Sequence, residues 1–206
     1  NFWRIYGLGL PGFATTTIYT HWKEYKEKDV EVFAEDGTPQ PFYDSFCYGL
    51  DVGYGHAMAL TKCYFKDDVV WAEEVIYKSE LTTSDLISLM KDLAVSDTAD
   101  IWVDAAAPAM VEDLKRAGYM AKSADKSVKE GIDLIKSKKL NINVNSTNLI
   151  SEIRRYQWKT KNEEIIYEPV KVNDDLCDSM RYAIWNYYRS TKRRDDYDFD
   201  FEIIDY

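Results

Sequence analysis

The spacing of apolar residues changes from strand-like to helix-like along this chain. Three consecutive runs rich in β-branched and aromatic residues predict strands at 46–51, 58–65 and 69–77. Beyond them, short apolar runs alternate with segments in which apolar residues recur every three or four positions. We predict further strands at 99–103, 119–122 and 140–144, a hairpin at 158–168, and helices at 82–93, 108–118, 127–137, 146–156 and 174–188.

This order of elements predicts an α/β fold. Three consecutive strands favour an antiparallel meander, and the alternating helices and strands after them favour parallel units. We therefore expect a mixed β-sheet flanked by helices on both faces. The folded domain is assigned to 46–190, with a breaker-rich lead-in or linker at 1–45 and an acidic C-terminal tail at 191–206.

The composition narrows the class of protein. A chain of 206 residues with 46% apolar and 30% charged residues is typical of a soluble domain with one core. No apolar run approaches the roughly 18 residues that cross a bilayer, so we predict no membrane association. Three cysteines without a CxxC pair favour a reduced compartment over a disulfide framework.

The charge distribution is more informative than the net charge of −10. Residues 115–162 contain twelve Lys and Arg against four Asp and Glu, a local balance of +8, whereas 195–206 is strongly acidic. A basic segment of this kind can contact a phosphate backbone without reading its sequence. The acidic total therefore does not exclude nucleic acid as a partner.

Three aspartates are the candidate chemical centre. Asp51 and Asp104 close two short β-like runs, and Asp178 lies at the start of the last helical pattern. Carboxylates in these positions can converge on one edge of a sheet. Mg²⁺ and Mn²⁺ prefer such oxygen ligands, and two metals about 3.5–4 Å apart drive phosphodiester hydrolysis. The pattern predicts a metal-dependent nuclease, and the chain has no GxxxxGK[ST] motif for an ATPase motor.

Short motifs in a specific order carry a resemblance to a known family. They are Arg4–Gly9 with His21-Trp22, Tyr48–Gly53, Trp102–Asp104, Lys126–Val128, Glu152-Ile153, and Asp178–Ala183. From Arg4 to Tyr188 the chain resembles the nuclease domain of the large terminase subunit of tailed bacteriophages, which has a ribonuclease H-like fold. The stretch before residue 46 is similar to the segment that follows the packaging ATPase domain in that family.

The resemblance implies a viral endonuclease that cuts concatemeric double-stranded DNA during genome packaging. It places Asp51, Asp104 and Asp178 on the family's three acidic ligands, for two Mg²⁺ or Mn²⁺ ions. In the mechanism that we favour, Asp51 and Asp178 share one ion while Asp51 and Asp104 hold the other. The implied partners are the terminase ATPase domain, the small terminase subunit and the portal, in the host cytoplasm at the procapsid and not in the mature virion.

The chain departs from its apparent relatives at Asp175, where many of them have a histidine. Asp175 either ligates metal beside Asp178 or caps the helix, and we favour the metal-proximal role. Lys126 and Lys129 lie near a helix start in the basic segment and are the predicted DNA-binding residues.

Three other functions are compatible with parts of this pattern. A resolvase or transposase-like nuclease would keep the fold and cut DNA junctions. A sugar-kinase or actin-like ATPase would use Asp51-Val52-Gly53 as a phosphate-binding strand, but it would need a second related domain. A non-catalytic docking module of the packaging motor would contain the same carboxylates without cutting DNA.

Overall fold

A computed structural model describes residues 16–53, 55–162 and 164–201, with side chains described up to residue 191. The strands are β1 Trp22–Tyr25, β2 Val32–Phe33, β3 Pro39–Gln40, β4 Ser45–Asp51, β5 Ala57–Lys66, β6 Val69–Ser79, β7 Asp100–Val103, β8 Met120–Ser123, β9 Lys139–Asn143, β10 Trp158–Lys161 and β11 Glu164–Pro169. The α-helices are α1 Thr83–Asp92, α2 Pro108–Arg116, α3 Lys129–Lys136, α4 Thr147–Arg155 and α5 Asp175–Phe201.

Within these described ranges, seven strands form one mixed sheet in the order β1-β9-β6-β5-β4-β7-β8. The consecutive strands β4, β5 and β6 pair antiparallel, while β7, β8, β9 and β1 add in parallel. Apolar side chains of α3, α4 and α5 pack in one core cluster, and those of α1 and α2 pack in another. The predicted mixed sheet with helices on both faces is therefore confirmed.

Several element assignments differ from the sequence prediction, since the short strands β2 and β3 pair with each other within the predicted lead-in. Strand β1 lies in the predicted lead-in, yet it pairs with β9 at the edge of the main sheet. Its sequence Trp-Lys-Glu-Tyr has no apolar alternation, so only the distant partner strand makes it recognisable. Helix α5 continues to Phe201, beyond the predicted end at 188 and into the segment assigned as a tail.

Parts of the predicted lead-in and of the predicted tail lie outside the described residues. Residues 1–15, with the Arg4–Gly9 motif, and residues 202–206 of the tail lie outside the described residues. The division into lead-in, domain and tail therefore stays a prediction. In the described part of the chain, none of the helices has both the length and the apolarity to span a bilayer.

The contact between α5 and β4 is unusually close because of a glycine. The Ser179 hydroxyl of α5 donates a hydrogen bond to the carbonyl oxygen of Gly49 at 2.7 Å. A Cβ atom on Gly49 would overlap the backbone carbonyl of Ser179, so only glycine leaves room for this approach. Helix α5 is thereby seated directly on the strand that ends at Asp51.

Candidate active site

Asp51 and Asp104 lie at the carboxyl ends of neighbouring parallel strands. Asp51 is the last residue of β4, and Asp104 directly follows β7. The two strands are in parallel register with Leu50 opposite Val103, and the amide of Asp104 donates to the carbonyl of Leu50 at 2.9 Å. The fold therefore places both aspartates side by side at the carboxyl ends of these two strands, as the sequence pattern predicted.

Asp178 reaches the same region from α5. It occupies the first turn of that helix, one residue before the Ser179 contact with β4. Burial raises the pKa of Asp51 from its ordinary value of 3.8 to about 7, and the negative charges of Asp178, Asp104 and Asp175 add to the effect. Four carboxylates from three separate parts of the chain thus lie within electrostatic reach of one another.

Asp104 is held in a defined orientation. Its side chain is nearly buried, and Oδ1 accepts a hydrogen bond from the Ala106 amide at 2.9 Å and forms an ion pair with Lys126 Nζ at 2.6 Å. The N-cap position of α2 is Ala107, so Asp104 does not cap this helix. Its carboxylate is positioned by a local turn and by a lysine from the basic segment.

The negative charge of Asp178 is balanced by two cationic side chains, whereas that of Asp104 is paired with one. Oδ1 accepts from Arg181 Nη2 at 2.8 Å, and Oδ2 accepts from Lys171 Nζ at 2.7 Å. Burial by itself would raise the pKa of Asp178, but the charges of Arg181 and Lys171 outweigh it and hold the pKa below its ordinary value. Arg181 is 1% exposed and also donates to the carbonyls of Lys126 and Ser127, so it ties α5 to the loop beside Asp104.

The predicted DNA-binding lysines lie on one stretch of chain. Lys126 is exposed in the loop before α3, where its ammonium group contacts Asp104. Lys129, the first residue of α3, is exposed, with its Nζ 5.7 Å from the ring centre of Tyr167 on β11. Lys126 is thus close to the acidic residues, and contact of either lysine with DNA stays a prediction.

Asp175 is the first residue of α5 and is partly buried. Burial raises the pKa of Asp175, Asp174 and Asp178 add to the effect, and His56 opposes it. The amides of Leu176 and Cys177 are capped by Glu152, not by Asp175. Glu152 therefore already binds two of the first amides of α5, and the role of Asp175 as metal ligand or cap stays a prediction.

Sequence reasoning did not assign roles at the site to Glu152, Lys171 or His56. The sequence around Glu152 indicates a special role for this residue, because it interrupts the apolar face formed by Leu149, Ile150 and Ile153 on α4. A charged residue at such a position needs a specific partner. Lys171 and His56 lie in connecting segments, where no periodic pattern marks them.

The four aspartates of the candidate site offer oxygen atoms that suit a hard divalent cation, although their side chains are not arranged around one. Among the described residues, no three Asp, Glu, His or Cys side chains form a group that could hold a metal ion as they stand. Asp51, Asp104, Asp175 and Asp178 are all oxygen donors, the type preferred by Mg²⁺ and Mn²⁺. Burial raises the pKa of Asp51, the neighbouring carboxylates add to the effect, and a bound cation would neutralise the negative charge of these groups. The residues therefore fit such a metal by their chemistry.

Comparisons with family models and with curated proteins find no significant match, whereas solved structures match well. The Mn-bound nuclease domain of the large terminase g2p from bacteriophage SPP1 matches with a TM-score of 0.67 and 16% identity, over 82% of this chain and 97% of that one. A large terminase from a thermophilic bacteriophage matches with a TM-score of 0.63 and 23% identity, over 88% of this chain and 47% of that one.

A third similar structure is the large terminase nuclease of the thermophilic phage G20c. It matches with a TM-score of 0.55 and 16% identity, over 82% of this chain and 97% of that one. At these identities the likeness establishes the fold, which agrees with the mixed sheet and its flanking helices. The chain therefore has the ribonuclease H-like fold of phage large terminase nuclease domains.

Proposed function

We propose that this chain is a divalent-metal-dependent endonuclease that cuts concatemeric viral double-stranded DNA during genome packaging. The observation that carries the proposal is the convergence of Asp51, Asp104 and Asp178 at one end of β4 and β7. The SPP1 nuclease domain, which has the same fold, was solved with bound Mn. Hard divalent ions that catalyse two-metal hydrolysis are held by oxygen ligands of this kind.

The carboxylates of this chain would divide between two Mg²⁺ or Mn²⁺ ions. Asp51 and Asp178 would hold one ion, with Asp175 beside them, and Asp51 and Asp104 would hold the second. Bound divalent ions supply Lewis acidity for hydrolysis of the phosphodiester. Arg181 keeps Asp178 oriented, and the Ala106 amide does the same for Asp104.

Lys126 and Lys171 would change partners when metal binds. Both ammonium groups contact carboxylates of the proposed ligand set in this structure, Lys126 on Asp104 and Lys171 on Asp178. A divalent cation on the same oxygens would repel them. Lys126 would then be available to a DNA phosphate, as would the exposed Lys129.

The proposed setting is the packaging motor. The match to the large terminase of the thermophilic bacteriophage covers 88% of this chain. The same match covers only 47% of the length of that terminase. We infer that this domain works with an ATPase domain, the small terminase subunit and the portal, in the host cytoplasm at the procapsid.

Cleavage of supercoiled plasmid DNA tests the proposal. The purified chain should nick or linearise plasmid with Mn²⁺ or Mg²⁺ and not with EDTA. Asp51→Asn and Asp104→Asn should each abolish cutting. Asp68→Asn is the matched control, because Asp68 pairs with Lys138 at 2.8 Å at the opposite end of the strands and is 75% exposed.

The outcomes separate the alternatives. Full activity in both site variants would contradict the site assignment. Preferential cutting of branched junctions over duplex would favour a resolvase-like enzyme of the same fold. A wild-type chain that neither binds Mn²⁺ nor cuts DNA would favour the docking module.

A further inference from the structure

Glu152 is a buried acid that makes its hydrogen bonds to another helix. It lies on α4 and is 3% exposed. Its Oε2 accepts from the amides of Leu176 at 2.9 Å and Cys177 at 3.1 Å, the second and third residues of α5. Its Oε1 is buried and has no hydrogen-bond partner among the described residues.

A carboxylate at this position is costly for the core. Leu149, Ile150 and Ile153 surround Glu152 on α4 and are buried, so an apolar side chain would pack there without the penalty of burying a polar group. The compensation comes from α5, whose first amides lack partners within the helix and present partial positive charge. Glu152 therefore acts on the start of α5 and not on its own helix.

Helix α4 is itself anchored to the sheet in the same way. Glu74 of β6 accepts hydrogen bonds from the amides of Asn148 and Leu149, both at 3.0 Å, in the first turn of α4. Glu152 follows about one turn later on the same helix. A continuous set of carboxylate-to-amide bonds thus connects β6 to α4 and α4 to α5.

The first turn of α5 carries the acidic residues of the site. Asp178 directly follows Cys177, whose amide is bound by Glu152, and directly precedes Ser179, which is bound to Gly49. The residues on both sides of Asp178 are therefore held by hydrogen bonds, Cys177 by its amide to α4 and Ser179 by its hydroxyl to β4. Asp175 lies at the start of the same turn.

We propose that Glu152 is a positioning residue for the metal site: it holds the first turn of α5 so that Asp178 and Asp175 face Asp51. This inference rests on the proposed function. Glu152 would act through its bonds to Leu176 and Cys177 and not as a metal ligand itself. Loss of an outer residue that orients metal ligands typically weakens metal affinity by about 10- to 100-fold.

The test is Mn²⁺ titration of the full chain by isothermal calorimetry without DNA, so that binding is measured separately from cutting. Glu152→Met and Glu152→Ala remove both acceptors, and Met keeps most of the volume. Each should weaken Mn²⁺ binding by about 10- to 100-fold. Glu152→Gln should stay within a few-fold of wild type, because its amide oxygen can accept both hydrogen bonds.

A matched control separates metal affinity from general stability. Thr82 caps α1 by accepting from the Asp85 amide at 3.2 Å, and α1 contributes none of the proposed ligands. Thr82→Ala should lower the melting temperature and leave Mn²⁺ affinity unchanged. Circular dichroism of each variant establishes that it is folded before titration.

The possible results have distinct meanings. Wild-type affinity in a folded Glu152→Met or Glu152→Ala variant overturns the positioning role and leaves the proposed nuclease intact. An equal loss of Mn²⁺ affinity in Glu152→Gln and Glu152→Met also overturns the positioning role, because the hydrogen bonds of Glu152 would then not be the cause of the loss. A wild-type chain without Mn²⁺ binding overturns the proposed function and, with it, this inference.

Discussion

The hydroxyl of Ser179 donates a hydrogen bond to the carbonyl oxygen of Gly49 across 2.7 Å, where α5 lies directly against β4. The same hydroxyl is 2.8 Å from the Thr61 hydroxyl and accepts from the Thr61 amide at 3.1 Å. One serine thus bonds two neighbouring strands of the sheet. This contact holds the first turn of α5, which contains Asp178, against the strand that ends at Asp51.

Gly49→Ala should be strongly destabilising. The added methyl group would meet the Ser179 carbonyl and the Ala183 amide, which are backbone atoms and cannot rotate away. We expect a loss of about 2 kcal/mol or more in the free energy of unfolding, measured by urea denaturation. Ser179→Ala is the comparison, since it removes hydrogen bonds without overlap and should cost about 1 kcal/mol. Equal stability of Gly49→Ala and wild type would contradict the close approach.

Asp178→Asn should lower the stability of the fold, whereas Asp51→Asn should not. Asp178 neutralises Arg181, which is 1% exposed, so its loss leaves a buried charge without compensation and should cost about 3 kcal/mol. Asp51 lies among like charges, so Asp51→Asn should leave stability level or raise it. Urea denaturation in EDTA measures both. The same sign for the two variants would show that the charge balance is wrongly assigned.

Glu152 should make stability depend on pH. Burial raises the pKa of Glu152 from 4.5 to about 7, partly opposed by the Cys177 amide. The folded state then binds the proton more tightly than the unfolded state, so this stabilisation is complete below the unfolded pKa and is lost as pH rises through 7. Wild type should lose about 2 kcal/mol more than Glu152→Gln between pH 5 and pH 8 in urea denaturation. Parallel pH profiles for the two proteins would argue against a raised pKa.

Lys126 and Lys129 should each contribute one phosphate contact. Binding of the chain to duplex DNA should be weak and should fall steeply with salt, because the net charge is −10. Lys126→Ala and Lys129→Ala should each reduce the slope of log affinity against log salt by about 1, measured by fluorescence anisotropy in Ca²⁺, an oxygen-binding cation that would release Lys126 from Asp104. Lys28→Ala is the control, an exposed lysine outside the basic segment. Unchanged slopes in both variants would exclude these contacts.

Asp175→Ala should weaken Mn²⁺ binding with little effect on stability. Glu152 already caps the first amides of α5, so the helix does not depend on the Asp175 side chain. Calorimetric titration and thermal denaturation measure the two properties separately. The reverse result, unchanged Mn²⁺ affinity with a loss of about 0.5–2 kcal/mol, would assign Asp175 as a cap.

Local sequence determined much of this fold and part of the candidate site. Runs rich in β-branched and aromatic residues placed β4, β5 and β6, and helical spacing of apolar residues placed α1 to α4, because such patterns reflect which residues of each element are buried. Asp51 and Asp104 were predictable as neighbours, since each ends a strand and parallel strands bring their carboxyl ends to one edge of a sheet.

Tertiary structure alone decided the remaining features. The pairing of β1 with β9 joins residues more than a hundred positions apart through backbone atoms, which leave no periodic pattern in the side chains. The ion pair of Lys171 with Asp178 and the bonds from Glu152 to α5 depend on how loops and helices pack. Periodicity reports the burial of one element at a time, whereas the partner of a polar group is set by the distance between elements, and only the folded chain defines that distance.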